Sequence, residues 1–272
     1  MYIAFLFRVI KAASTWSLIH LFRKFAAKIT WYLNLVNLYD RRDNKTLQDL
    51  KFIRALGPVN YKSTIGLLNK SKSQLRQDLF VISETKYKKN GFFVEFGATD
   101  GIDMSNTYML EAEFSWTGIL AEPARVWKKQ LELNRPNVSI ETLCVWKDSN
   151  SLLIFNETDA PALSTVDSFS DLDGHRKARA TGKKYEVNSI SLEDLLIKHG
   201  APKYIDYLSI DIEGSEFEVI KAFNFDDYTI KIITIEHNYT PQRELIYSLL
   251  TSSGYKRKYE NISAFDDWYV KS

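Results

Sequence analysis

Four carboxylates stand where apolar runs stop, and a fifth lies inside one. Glu95 interrupts Phe92-Phe93-Val94-Glu95-Phe96, and Asp100 follows in the turn Gly97-Ala98-Thr99-Asp100-Gly101. Glu122 ends Thr117-Gly118-Ile119-Leu120-Ala121, Asp211 follows Tyr204–Ile210, and Glu236 follows Ile230–Ile235 and leads into His237-Asn238. Short apolar runs of this kind suit strands covered on both faces. In an open parallel sheet, ligands collect beyond the carboxyl ends of the strands. Acids there would repel a pyrophosphate, which amides or a lysine would attract. They suit a cationic ligand, or one rich in hydroxyls. S-adenosylmethionine is both, with a sulfonium, an amino group and a ribose diol. Glu122 lies about 20 residues beyond the glycine turn, where a ribose-binding acid is expected after a second parallel strand.

The elements that would position these acids alternate along the chain. Phe92–Phe96 feeds a glycine turn and a helix over about 106–114. Thr117–Ala121 is followed by a helix over 124–134, for which Pro123 is a suitable first residue. A third strand is expected over Val138–Val145, including Cys144, and an extra strand over Ser151–Phe155. A polar insert then runs from Asn156 to Glu186 and is read as an acceptor-binding lid or a solvated basic loop. Val187–Ile190 returns to strand, and Ser191 caps the next helix. Tyr204–Ile210 and Ile230–Ile235 are further core strands, each with a helix after it, over about 215–222 and 241–251. Glu213 and Glu216 would favour the start of the first of these through its dipole. Tyr255–Tyr259 and Trp268–Val270 can close the sheet as an antiparallel hairpin. Upstream, a helix is expected from Ser73, which would cap it, to about Thr85. Alternating strands and helices imply an α/β fold with a mainly parallel sheet.

Bulk properties exclude several classes. The 272 residues are 45% hydrophobic, with a net charge of +2, so no global field argues for nucleic acid. A lone cysteine excludes an internal disulfide and a cysteine-rich metal site, and four scattered histidines make no zinc motif. A cytoplasmic setting follows as the default. Residues 1–45 carry +6 and the remainder −4. Ile3, Phe7, Ile10, Leu18, Leu21 and Phe25 recur at near-helical spacing, with Trp16, Trp31, Tyr32 and Tyr39 beside them. Residues 1–39 therefore read as amphipathic helices that either pack as a cap or lie on an anionic membrane surface. No stretch of 18 uncharged apolar residues is present to span a bilayer. A boundary near residue 72 separates this helical extension and linker from the main domain, and association of copies is left open.

Several of these segments together resemble a known family. Ser73-Gln-Leu-Arg-Gln77-Asp78, Val94-Glu-Phe-Gly-Ala-Thr-Asp-Gly101, Ser105-Asn-Thr107, Glu122-Pro123, Ser209-Ile-Asp-Ile-Glu-Gly-Ser-Glu216 and Ile235-Glu-His-Asn238 look like the FkbM-type S-adenosylmethionine-dependent methyltransferases. The likeness covers about residues 73–270. It implies a Rossmann-like class I methyltransferase: a seven-stranded, mainly parallel sheet with a C-terminal antiparallel hairpin, here behind an N-terminal helical extension. It also implies O-methylation, commonly of a sugar or polyketide hydroxyl. Carried over, Glu95, Gly97 and Asp100 would border the methionine and ribose portions of the cofactor. Ser105 and Asn106 would line its entrance, Glu122 would bind the ribose, and the strand carrying Cys144 would lead to the adenine. Cys144 itself reads as packing rather than a nucleophile.

Methyl transfer to an alcohol needs alignment and removal of a proton from a weak acid. Two arrangements are open. His237 is a general base in one. In the other, Asp211 and Glu236, with His237 or Asn238, hold Mg²⁺ or Mn²⁺, which lowers the pKa of the acceptor hydroxyl. The expected acceptor is a saccharide, glycan or glycolipid precursor. A methyltransferase fold that has lost its chemistry and serves as a membrane-recruited scaffold is the alternative.

Overall fold

The computed structural model describes residues 46–56 and 61–272. Residues 51–272 form one compact unit, while residues 46–50 belong to another. The expected amphipathic helices over 1–39 lie outside the described residues. Phe52, Leu56, Leu67 and Leu68 all pack into the core of the larger unit, so residues 51–56 and 61–72, expected as linker, are part of it.

The strands are β1 (Phe92–Phe96), β2 (Thr117–Ala121), β3 (Ser139–Glu141), β4 (Cys144–Trp146), β5 (Leu152–Glu157), β6 (Thr165–Val166), β7 (Lys183–Ser191), β8 (Tyr204–Ile210), β9 (Thr229–Glu236), β10 (Tyr255–Lys258) and β11 (Asp266–Lys271). Seven make the main sheet, in the order β10-β11-β9-β8-β1-β2-β3. Pairings from β9 to β3 are parallel. Those of β11 with β9 and with β10 are antiparallel, so the sheet is mixed. The remaining four strands form a second sheet, β4-β7-β5-β6. The helices that matter below are α1 (Gln77–Glu84), α2 (Tyr108–Phe114), α3 (Lys128–Asn134), α4 (Leu192–Lys198), α5 (Glu216–Ala222) and α6 (Gln242–Ser252).

The sheet is covered on both faces, as period-two alternation requires. Val94, Phe96, Leu208, Ile210, Ile233 and Ile235 point to one face, beneath Leu195, Val219, Ile220, Ile246 and Leu250 of α4, α5 and α6. Phe93, Leu120, Tyr207, Ile232 and Trp268 point to the other, against Leu79, Phe80, Met109, Leu110 and Leu131 of α1, α2 and α3. Trp268 stacks on Phe80 with ring centroids 4.8 Å apart. Glu95 falls in step with Phe93, so its carboxylate must be accommodated inside this second layer.

Several local expectations need correction. The anticipated third strand is two: β3 ends at Glu141, and the chain then leaves the main sheet, placing Cys144 in β4 of the second. Glu141 makes the break, since one of its oxygens accepts the N–H groups of Thr142 and Leu143. The insert is ordered rather than a simple loop. Its end, residues 183–186, extends β7 along β5, and the Asn156 amide donates to Ser170 Oγ and to the Arg179 carbonyl. α1 begins at Gln77, after Arg76 with φ of 73°. Ser73 is therefore not the N-cap, a position that Arg76 holds without a side-chain cap bond; Ser73 Oγ accepts the Asp78 N–H from three residues further upstream. α3 begins at Lys128, well after Pro123. Ser191 does cap α4, accepting the Asp194 N–H at 3.1 Å.

Candidate active site

The chain turns back in left-handed backbone after each central strand. Gly97 and Thr99 follow β1, Glu213 and Gly214 follow β8, and Asn238 and Tyr239 follow β9, all with positive φ. Such conformations are uncommon for residues other than glycine and cluster at functional sites. At Gly97 only glycine fits, because an added Cβ would lie 1.9 Å from the Asp211 carbonyl oxygen. The β1 and β8 loops are thereby pressed together. The three turns open a cavity of about 470 Å³ at the carboxyl ends of β1, β8 and β9. That is the place, and the size, expected of a ligand pocket in an open α/β sheet.

Glu95 forms the inner wall. Its Oε1 accepts the Asn106 N–H at 2.6 Å, and its Oε2 accepts the hydroxyls of Ser105 (3.0 Å) and Thr107 (2.5 Å). Arg135, fully buried, donates to Ser105 Oγ, Thr107 Oγ1 and the Gly101 carbonyl, and pairs with Glu111 at 2.5 Å. Burial raises the pKa of Glu95, while Arg135 and the three donors oppose it. This network fixes Asn106. Its Nδ2 donates to Ser209 Oγ, and its Oδ1 is left without a partner on the cavity wall.

The opposite wall is acidic. Asp211, Glu213 and Glu236 each offer a carboxylate oxygen, all within 4.8 Å of one another. Burial pushes Asp211 up to about 6; a hydrogen bond from Glu236 opposes this and Glu95 reinforces it. Burial and the neighbouring acids also raise Glu236 and Glu213. Glu213 is held from behind by Arg179, itself fully buried, at 2.6 Å. Glu216 accepts the N–H groups of Ile212 and Gly214 and so shapes the loop. Glu236 Oε2 has no partner, and neither does Asn238 Nδ2; both residues line the cavity.

Of the anticipated residues, Glu95, Gly97, Asn106, Cys144, Asp211 and Glu236 line this one cavity. Ser105 supports it from behind, through Glu95. Glu122 does not line it, although Ala121 and Pro123 do. Its two oxygens accept the Thr99 and Ala124 N–H groups, and burial pushes it up to about 7. It borders a smaller hollow with Arg125 and Lys128. Asp100 is turned out of the cavity: Oδ1 accepts the N–H groups of Ile102 and Asp103, closing its own loop. Cys144 lines the cavity as an uncharged thiol, which burial pushes up to about 12, and so offers no nucleophile.

His237 requires the largest correction. Its ring is buried behind the cavity, where Nδ1 accepts the Tyr239 N–H and Nε2 lies 3.8 Å from Asp267. Burial lowers its pKa, against the pull of Asp267. It reaches neither the cavity nor the acid cluster, and Glu213 takes its place beside Asp211 and Glu236. Sequence alone gives Glu213 to the helix dipole because it precedes a helix; its spacing two residues beyond Asp211 is the signal that places it in the cluster. Arg135, Arg179 and the cavity-lining His175 carry no local signal; their roles come from elements distant in sequence.

The strand order, with its antiparallel β11 beside β9 and the ligand cavity at the central strand ends, is that of a class I methyltransferase. The sequence model described as "Methyltransferase FkbM domain" matches residues 95–267, and the chain belongs to that family. Among solved structures it is similar to methyltransferase FkbM from Methylobacillus flagellatus KT, at 12% identity and a TM-score of 0.46, over 84% of this chain and 59% of that one. It is also similar to precorrin-6y C5,15-methyltransferase from Geobacter metallireducens GS-15 (12% identity, TM-score 0.36, 71% and 85% of the two chains). A third likeness is to a ribosomal protein L11 methylase from Lactobacillus delbrueckii subsp. bulgaricus (12%, 0.35, 72% and 78%). No curated protein matches. Family membership implies S-adenosylmethionine as methyl donor.

Proposed function

We propose that this chain is an S-adenosylmethionine-dependent O-methyltransferase acting on a hydroxyl of a saccharide, glycan or glycolipid precursor. The observation that carries the reading is the pair of buried, unpartnered acceptors, Asn106 Oδ1 and Glu236 Oε2, on two residues that line one cavity at the strand ends. A buried polar atom without a partner is disfavoured by about 1–3 kcal/mol. Acceptors of this kind fit a ligand that brings N–H donors or positive charge. When bound, S-adenosylmethionine supplies a methyl group on a sulfonium. Asn106, anchored by Glu95 and Ser209, would orient the donor's amino acid end. Asp211, with a pKa of about 6, is suited to accept a proton from the alcohol. Tyr239, 70% exposed, and the unsatisfied Asn238 amide border the cavity and would meet the polar faces of a sugar. Divalent-metal assistance by Mg²⁺ or Mn²⁺ at Asp211 and Glu236 belongs to the same reading.

A scaffold without chemistry would have no need of unsatisfied acceptors in a formed cavity, which favours the enzyme. Among the described residues no helix is long and apolar enough to cross a membrane. A cytoplasmic enzyme touching a membrane surface through residues 1–39, alone or as a homo-oligomer, is the accompanying proposal. Flotation with anionic vesicles of the full chain tests that contact. Isothermal titration of the full chain with S-adenosylhomocysteine tests the main proposal. Binding is expected, weakened at least tenfold in Asn106→Ala. No heat at millimolar ligand would end the reading, and a screen of sugar acceptors follows only if binding is seen.

A further inference from the structure

We propose that Asp211, Glu213 and Glu236 form a site for one hard divalent cation, with Arg179 as the strut that holds Glu213 in place. The inference rests on the metal assistance named in the proposed function and deepens it by giving the ligand set; metal uptake is measured apart from methyl-donor binding. Spacing is the first ground. Two oxygens on opposite sides of one ion stand twice the metal–oxygen distance apart, about 4.2 Å around Mg²⁺ and about 4.6–5.2 Å around Ca²⁺. The three carboxylates already offer oxygens no more than 4.8 Å apart.

An unused ligand atom is the second and independent ground. Glu236 is 7% exposed, lines the cavity, and its Oε2 has no hydrogen-bond partner. Glu213, by contrast, is braced. Arg179 joins Glu213 at 2.6 Å and Asp173 at 2.9 Å, and donates through Nε to the Leu163 carbonyl. It therefore fixes Glu213 from behind without covering the cavity side. Glu216 shapes the loop between Asp211 and the helix by accepting its N–H groups.

Charge is the third. With all three carboxylates ionised the cluster carries −3, and one guanidinium shared with Asp173 does not balance it. Buried like charges are tolerated only with protons or a cation among them. An all-oxygen donor set with open positions toward a cavity matches Mg²⁺, Mn²⁺ or Ca²⁺ rather than the thiolate- or imidazole-loving metals. The ion would sit on the wall shared with the proposed acceptor.

The test uses the full chain and Mn²⁺ alone as probe, following the electron paramagnetic resonance of the free aquo ion. The parent is expected to take up about one equivalent, displaced by excess Mg²⁺ or Ca²⁺. Glu236→Gln and Asp211→Asn should weaken uptake at least tenfold, while Glu141→Gln, an acid outside the cluster, should bind as the parent does. Because each amide is nearly isosteric with the carboxyl it replaces, the metal-free variants should fold as the parent does, and Mn²⁺ should raise the melting temperature of the parent only. Undiminished free signal with parent protein in excess, or equal binding by parent and both cluster variants, overturns the site. A chain that binds S-adenosylhomocysteine but no Mn²⁺ removes this proposal and the metal assistance with it, and leaves methyl-donor binding standing. One that binds Mn²⁺ but no S-adenosylhomocysteine removes only the methyl-transfer reading.

Discussion

Glu95→Gln asks whether the innermost acid is ionised, because the two protonation states predict opposite results. Burial favours a neutral carboxyl, for which glutamine is a near-isosteric replacement. The hydrogen-bond directions favour the anion. Arg135 donates to Ser105 Oγ at 3.3 Å and to Thr107 Oγ1 at 3.1 Å, and Ser105 Oγ also accepts the N–H groups of Thr107 and Tyr108. With these lone pairs engaged, both hydroxyl protons must point at Glu95 Oε2, while Oε1 takes the Asn106 N–H. A glutamine has one oxygen and cannot serve both sides. If the variant keeps the bond to Asn106, two hydroxyl donors face an NH₂ group. Each hydrogen bond to a charged group contributes about 1.5–3 kcal/mol, so the pair amounts to about 3 kcal/mol or more. In a domain of about 150–250 residues, 1 kcal/mol shifts the melting temperature by roughly 2–4 °C. A drop of roughly 6–12 °C at pH 7 is therefore expected by circular dichroism. S-adenosylhomocysteine affinity should fall with it, because Asn106 loses its anchor. A variant melting within about 2 °C of the parent would show that burial wins, that Glu95 holds a proton, and that this account of the wall is mistaken.

Three further outcomes follow from particular contacts. Gly97→Ala must carry a Cβ against the Asp211 carbonyl at a φ of 75°, so a loss of about 3 kcal/mol or more in urea unfolding is expected, with loss of ligand binding. His237→Gln should retain methyl transfer within about threefold, below 1 kcal/mol on the barrier, since the ring is behind the cavity; a hundredfold fall in kcat would put the histidine back in the chemistry. Burial alone would raise Glu141, but Lys198, the Leu143 N–H and His199 together hold it below its usual value near 4.5. A depressed folded pKa contributes stability that is present above that value and lost as pH falls through the folded one. Parent protein should thus be more stable than Glu141→Gln at pH 7, with the gap closing as pH falls below 4.5. A gap that persists unchanged at pH 2–3 would contradict the ion-pair account, on about the scale of the usual carboxylate range.

The parts of this molecule legible in the sequence are those set by local pattern. Each core strand is an apolar run bounded by a polar residue, and the alternation with amphipathic helices fixes the parallel order of β1, β2, β8 and β9. The acids at strand ends were legible for the same reason, because a charge after a buried run has few places to go. Their orientations were not. Asp100, Glu122 and His237 each occupy an expected strand-end position, yet each turns to nearby backbone: Asp100 to its own turn, Glu122 to Thr99 and Ala124, and His237 through Nδ1 to Tyr239, its Nε2 buried without a hydrogen-bond partner 3.8 Å from Asp267. A one-dimensional pattern places a residue at the rim and does not say which way its side chain turns. The split of the third strand was hidden likewise, because Val138–Val145 reads as one strand-like run and the break depends on Glu141 reaching forward to two N–H groups.

The insert between β5 and β7 shows why distant pairing escapes such a reading. As sequence it is polar and basic, and nothing in residues 156–186 distinguishes Arg179 from its neighbours Arg176 and Lys177. In the fold, Arg179 is fully buried and the other two are exposed. Burying a guanidinium is unfavourable by several kcal/mol unless its donors are matched. Its Nε is satisfied by the Leu163 carbonyl, one amino group by Asp173 and the other by Glu213, which belongs to the loop after β8. Thr165 Oγ1 also donates to the Glu213 carbonyl. The segment that carries Ala162, Leu163, Ser164 and His175 into the cavity wall is therefore tied to the same loop that carries the acid cluster. Whatever fills the cavity must be accommodated by both at once, so the shape of this wall and the placement of the acid cluster are set together by one buried ion pair.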